Sequence, residues 1–463
     1  MSTTIDITTC GAVAGQVCTT AIQQAIDTLH AQGGGTVLIP DGTYLSGTIV
    51  LKSGITLHVS PNAVLKSTGR LEDHPEIESA LNKGHTGPGG NGGPGDIEKH
   101  HFIHAANATN LTITGGGVID GSGPDFWDVA NTAPSGWIPA RRPRVSPMLD
   151  FTACRRLVLR DICIKDSPGW TIHPFCCDDV VIDNVRVENN LFGPNTDGID
   201  INGCRDVFIT NCHLICGDDC IIIKATRSAR STERVLISNC VVKTNCIGIG
   251  IGQETESDVR QVTISNCVMY NCHRMFAIGL WNGGTVEDVT VTGCVGDTLG
   301  NFPLARPIHL DVKRHAAHDD AALGVLRNVS ISNFVCRTDG RIMITGEQLG
   351  TINNLTLRDI TLDCVTLEDA ATLSPPDGAT GSNQYSNRNL EARRQHAAVI
   401  IENVDHLQLD GLTCRWPDPA PLPYHALWAR SIAAGYIHVP TLSPAGGASQ
   451  ALVLDRIGAR VAD

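Results

Sequence analysis

The 463-residue chain has no surplus of positive charge: 35 lysines and arginines stand against 48 aspartates and glutamates, a net charge of −13 with histidine neutral. No nucleic acid and no anionic membrane is therefore expected as a partner, because nothing cationic is left over to displace counterions from phosphates. Long apolar runs are missing too. No stretch approaches the ~18 consecutive apolar residues of a membrane span, and the opening MSTTIDITTCGAV has no basic region followed by an apolar one. The expected location is cytoplasmic, or secreted if the chain is a mature form trimmed of its leader. Helical periodicity is scarce as well. It shows in residues 19–31, where Ala21, Ile22, Ala25, Ile26 and Leu29 share one face after threonine N-cap candidates.

What the chain has is glycine, 47 residues of it, and a short internal repeat. A polar residue, a three-residue alternating strand, a second polar residue, then Asn, Asp or Gly and an apolar residue recur. Copies begin at Asn110, Arg156, Asp179, Asp206, Arg234, Gln261, Asp288, Asn328, Asn354 and His406. Steps of 23 to 28 residues predominate, and the longer ones of 40, 46 and 52 fit insertions or two coils. A period in the twenties built of strands and tight turns, with no helix between, predicts an all-β solenoid, a parallel β-helix. A leucine-rich repeat would show LxxLxL and a helix per repeat, and a propeller would need longer antiparallel blades. One domain over 1–463 is expected: a cap and first coil over 1–45, coils over 46–415, and a tail over 416–463. Loop insertions are read at 84–95, 122–147 and 366–395. In the second of these, Trp127, Trp137, Arg141, Arg142 and Arg144 are either substrate contacts or anchors of the loop itself.

Cys212, Cys240, Cys267 and Cys294 each take the seventh place of a copy, so the 18 cysteines are read mainly as buried core thiols in a reducing compartment. Cys10, Cys18, Cys176 and Cys177 fit that reading least well. His85, His100, His101 and His104 lack a convincing metal-ligand spacing and are read as solvated surface residues, so no metal site is expected.

The chemistry concentrates between Asn195 and Lys224. Asp197, Asp218 and Asp219 stand at tight turns in successive copies, and likeness between the two turns sets Asp197 one coil below Asp219, 22 residues apart. Clustered carboxylates repel one another's charge, which suits a site that needs one proton donor and one base. His273 and Arg274 fall on the same two offsets two copies later. Arg306, His309, Lys313 and Arg314 form a basic cluster in an acidic chain.

The segments SPGWTIHPFCCDDVVIDNV, PNTDGIDI and GDDCIIIK resemble glycoside hydrolase family 28, the polygalacturonase-like pectin hydrolases, and so do GGGTVLIPDGTYLSG and GGGVIDGSGPDFW nearer the start. The resemblance implies a right-handed, single-stranded parallel β-helix with a short N-terminal capping helix. It also implies hydrolysis of O-glycosidic bonds with inversion and no cofactor. Asp218 matches the family's general acid, and Asp197 and Asp219 match the pair that activates water. Like-charge repulsion is expected to keep Asp218 protonated. Asn195, His173 and Lys224 are subsite candidates beside them, and His273, Arg274, Arg306, His309 and Lys313 are substrate-binding candidates further on. Two family motifs are absent. Cys246-Ile247-Gly248 stands for Gly-His-Gly, and Ala277-Ile278-Gly279 for the uronate-binding Arg-Ile-Lys. The expected substrate is therefore a pectic or related glycan or oligosaccharide other than ordinary polygalacturonan. A polysaccharide lyase on a β-helix and a non-catalytic carbohydrate-binding β-helix remain as alternatives.

Overall fold

The computed structural model describes residues 3–77, 99–299, 305–314, 322–367, 389–440 and 442–462. The 84–95 stretch, His85 and most of 366–395 lie outside them. The chain forms two compact units, Met1–Thr244 and Asn245–Asp463.

In the first unit the amphipathic helix predicted over 19–31 is present as Thr19–Ala31, with Ile22, Ala25, Ile26 and Leu29 fully buried against the first strands. Its N-cap is Cys18 rather than a threonine. The Thr19 hydroxyl is spent elsewhere, accepting from the amide of Gly47 at 2.8 Å. Three parallel sheets follow. One climbs through Gly35–Ile39, Ile55–Val59, Thr109–Thr114, Arg155–Lys165, Asp178–Glu188, Arg205–Thr210 and Thr232–Ser238. A second passes from Gly42–Ser46 to Val241–Thr244 through the later halves of the same long strands. The third, which carries the candidate site, stacks Ile49–Val50, Ile103–Ala106, Leu149–Thr152, Ile172–Phe175, Ile199–Asn202 and Ile221–Ala225.

The repeat has a backbone cause. The first residue of nine of the ten copies is left-handed, with φ between 54° and 60°. The sixth residue is left-handed in all ten, from Gly115 through Asn184, Asn211 and Asn239 to Gly411. Only Gly, and less readily Asn or Asp, adopts this conformation without appreciable strain, which is why those residues recur there. The asparagines also bond along the stack, as from Asn184 Nδ2 to Asp161 Oδ1 at 2.8 Å.

Between the corners, branched side chains alternate inward. Val180, Ile182, Val207, Ile209, Val235 and Ile237 are all 2% exposed or less, each worth roughly 1.5–3 kcal/mol of burial. Cys212 and Cys240 join this core, as expected. The doubted Cys177 does so as well: the amide of Cys154 donates to Cys177 Sγ, and the amide of Cys177 to Cys204 Sγ, both at 3.3 Å. All 18 cysteines are free.

The second unit repeats the scheme. Ile247–Thr255, Arg274–Leu280, Arg306–Val312, Ile342–Gly346 and Ala397–Arg415 pair in parallel, as do Val259–Ser265, Thr285–Thr298, Val325–Thr338 and Ile352–Cys364. The segment read from sequence as a tail continues the coils. His425–His438 pairs along Ala397–Arg415, and Leu452–Ile457 and Arg460–Ala462 pair on it in turn. Its Ala426, Leu427, Trp428 and Ala429 form one continuous buried run, even though the motif has faded.

Candidate active site

Pairing of Ile199 with Ile221 in the first unit sets Asp197 directly below Asp219, and the amide of Gly198 donates to the Asp219 carbonyl at 2.8 Å. The motif glycines permit this approach. A Cβ on Gly198 would stand 2.4 Å from the Cys220 carbonyl oxygen, and one on Gly217 would stand 2.5 Å from Thr196 Oγ1. Thr196 holds the turn together, accepting from Gly217 N at 3.1 Å and donating to the Asn190 and Gly193 carbonyls. Thr244 Oγ1 donates to the Asp218 carbonyl.

The three carboxyls differ in depth. Asp197 is 3% and Asp219 9% exposed, whereas Asp218 is only half-buried. An oxygen of Asp218 and one of Asp219 lie within 4.8 Å of each other. Asn195, itself in a left-handed turn, donates from Nδ2 to Asp218 Oδ2 at 3.3 Å. Arg144 orients Asn195 from behind, donating to its Oδ1 at 3.1 Å and to the Pro194 carbonyl at 2.6 Å.

The proton affinity of Asp197 is raised. Burial is the main cause, followed by the charges of Asp200, Asp218 and Asp219, with Lys224 opposing. Asp197 is the most deeply buried of the three, and its proton affinity rises with that desolvation. Asp200 was not singled out in the sequence, because it reads as one polar place in an alternating strand. It is fully buried on the outward face in line with His173, with Lys224 Nζ 3.8 Å from its Oδ1. Lys224 also lies over the Trp170 ring at 4.7 Å, which makes it a buried counter-ion of the cluster.

The histidines reverse an expectation. His100, His101 and His104 are 8%, 0% and 6% exposed, so they are not solvated surface residues. They belong to the coil beneath Asp150, where His104, Asp150 and His173 occupy consecutive places in the register. Asp150 accepts from His104 Nδ1 at 3.0 Å and from His173 Nδ1 at 2.9 Å. Burial pushes the Asp150 carboxyl up, but His101, His104 and His173 outweigh it and hold it well below the usual carboxylate range. His173 is thus a member of this cluster, one place from Asp200. In the 122–147 insertion, Trp127 and Arg144 are anchors: both are buried and both donate to the Pro168 carbonyl at 3.0 Å. Arg141 and Arg142 are exposed, and Trp137 packs edge-on to Phe192.

In the second unit the basic candidates gather. Arg274 is in register with Arg306, Ala277 with His309, and Gly279 with Asp311. Ala277 and Gly279 are therefore followed, one coil on, by a histidine and a carboxylate. Asp311 is ion-paired with the fully buried Lys313, which lies over the Trp281 ring at 4.7 Å. Burial pulls the Lys313 ammonium down to about 8, helped by Arg393 and Arg274 and opposed by Asp311. Burial likewise lowers His309, as do Arg274, Arg306 and Lys313. Arg274 is 5% exposed, and its Nε and Nη1 have no hydrogen-bond partner among the described residues. His273 precedes it at the strand edge. Arg314 is committed to Glu347, its Nη1 standing 2.5 Å from Oε1.

Residues 36–294 match the family described as glycosyl hydrolases family 28. A probable polygalacturonase of Vitis vinifera is 28% identical over 211 residues, 45% of this chain and 41% of that protein. The chain spans about a third of two further plant polygalacturonases, so the curated relatives are considerably longer than the matched part. Among solved structures, the hyperthermoactive exopolygalacturonase of Thermotoga maritima superposes with a TM-score of 0.62 at 23% identity, covering 79% of this chain and 88% of that one. The family 28 exopolygalacturonase of Yersinia enterocolitica gives 0.65 at 17%, covering 92% and 78%. These likenesses show the fold, a right-handed parallel β-helix.

Proposed function

The chain belongs to glycosyl hydrolases family 28, and from that premise we propose that it is an inverting glycoside hydrolase acting on an acidic pectic or related glycan other than plain polygalacturonan. The observation that carries this reading is the stacking of Asp197 under Asp219 with Asp218 beside them at the half-exposed edge. An inverting hydrolase needs one carboxyl to protonate the leaving oxygen and another to activate water on the opposite face of the sugar. Asp218, steered by Asn195, is the group open to a leaving oxygen. Asp219 and Asp197 hold and deprotonate the water. Burial and the charges beside Asp197 raise its proton affinity, which favours a cluster holding a single proton, and Asp218 delivers that proton to the leaving oxygen.

The second unit supports the acidic substrate class. Lys313 and His309 lie beside Asp311, Arg274 and Arg306 stand in register further along the same strands, and Arg274 Nε and Nη1 have no hydrogen-bond partner among the described residues. Such a cluster suits the carboxylate of a uronic acid, with Trp281 offering an apolar wall. His273 borders the same cluster. Eighteen free thiols support a cytoplasmic, reducing location and hence a short imported oligosaccharide.

The test is a screen of homogalacturonan, rhamnogalacturonan and neutral oligosaccharides, following reducing ends and ultraviolet absorbance together. Hydrolysis releases reducing ends without an unsaturated chromophore, and Asp218→Asn should lower kcat by roughly 10²–10⁴-fold. Strongly absorbing products would point to a lyase instead. Turnover untouched by Asp218→Asn would remove that residue from the chemistry.

A further inference from the structure

The cluster of His101, His104 and Asp150 lies on the same sheet as the acids but is not used by the hydrolysis just described. Its hydrogen bonding leaves a defined gap. His101 Nδ1 is 2.8 Å from the Pro147 carbonyl, which can only accept, so Nδ1 carries the hydrogen and Nε2 carries a lone pair. That Nε2 is fully buried and has no hydrogen-bond partner among the described residues. It faces Asp150 Oδ2 at 3.9 Å, two acceptors across a distance too long for a hydrogen bond. Donors on one metal ion stand no more than about 4.2 Å apart at ordinary bond lengths, so this gap is of the right size for a shared cation. His104 Nδ1 completes the set at 3.0 Å from the same oxygen, and one donor atom from each of the three residues lies within 4.8 Å of the others. The Nδ1–H to backbone carbonyl bond on His101 is the arrangement that fixes a ligand histidine's tautomer and orientation.

We propose that His101, His104 and Asp150 bind a divalent transition-metal ion of the zinc class. Two imidazoles and a carboxylate favour zinc, cobalt or nickel over calcium or magnesium, which prefer all-oxygen cages. Binding at His104 Nδ1 takes the place of the hydrogen shared with Asp150, which passes to Nε2, so the imidazole ligand stays neutral. His173, held by the other oxygen of Asp150 at 2.9 Å, fixes the carboxylate from the opposite side. The ion would sit on the sheet that carries Asp200, with Asp150 one coil below His173 and His173 one coil below Asp200.

Untagged full-length protein, stripped with chelator, is titrated with Co2+ and then with Zn2+. The expected result is a single saturable equivalent of Co2+ with visible ligand-field bands, displaced by Zn2+, together with a rise in Tm on loading. His101→Gln and Asp150→Asn should lose that equivalent and the rise in Tm, whereas Asp218→Asn should keep both. If His101→Gln does not fold by circular dichroism, His104→Gln, at a less enclosed position, decides by the same reading. Absence of a saturable equivalent in the wild type, or its retention in the histidine variant that folds, would overturn the proposal. So would its loss in Asp218→Asn, which would put the ion on the catalytic carboxylates.

Discussion

Asp197 and Lys313 are both charged residues removed from water, yet their proton equilibria move in ways that can be measured separately. A carboxyl whose proton affinity rises on folding holds its proton more tightly in the native state, so it favours folding near its ordinary value of 3.8 and disfavours it increasingly as pH rises above that. Asp197→Asn should therefore be inactive, yet more stable than the wild type at pH 8, with the advantage shrinking towards pH 4; thermal melts across that range check the sign. Equal Tm differences at both ends would contradict the burial argument. Lys313, lowered to about 8, should lose its charge between pH 7 and 9. Affinity for an acidic oligosaccharide should fall about 10-fold over that interval, the scale of one charge-assisted hydrogen bond, while Lys313→Met should bind weakly and without that pH dependence. Titration calorimetry of both proteins separates the cases. The acids could be read from the sequence because two turns of like wording place them. Asp150 and its histidines could not: the pairing joins residues 46 and 23 positions apart, and no local spacing encodes a carboxylate that folding inserts between imidazoles.

The corner is the element that organises each coil. Its sequence signature is strong because left-handed backbone selects Asn, Asp and Gly, and the period emerges from that selection more than from hydrophobic alternation. Where other residues occupy a corner, strain is stored. Gln261 is exposed and sits at φ 60°. Gln261→Gly should raise stability by roughly 1 kcal/mol, seen as a higher Tm with unchanged activity; a lower Tm would mean that the side chain contributes more than the backbone costs. The segment after Trp416 escaped notice for the converse reason. It pairs in parallel like the other coils, but its buried run of Ala426 to Ala429 is continuous, and Ser431 and Gly435 mark its corners at spacings the other copies do not share.

The molecule as a whole depends on packing rather than crosslinks. Every cysteine is free and 13 are buried. Reductant should leave the Tm unchanged, and thiol reagent should titrate 18 groups in denaturant but only a slow minority in the native state; a drop in Tm with reductant would reveal a crosslink. The left-handed corners have a consequence beyond stability. In an ordinary sheet one inserted residue turns every later side chain to the wrong face. Here the alternation restarts at each corner, so an insertion is forgotten within a strand, and copies recur at steps as different as 23 and 52 residues. Loops can lengthen, shorten or change sequence without notice from the interior. The fold thus separates inheritance of the scaffold from revision of the loops that a substrate would meet.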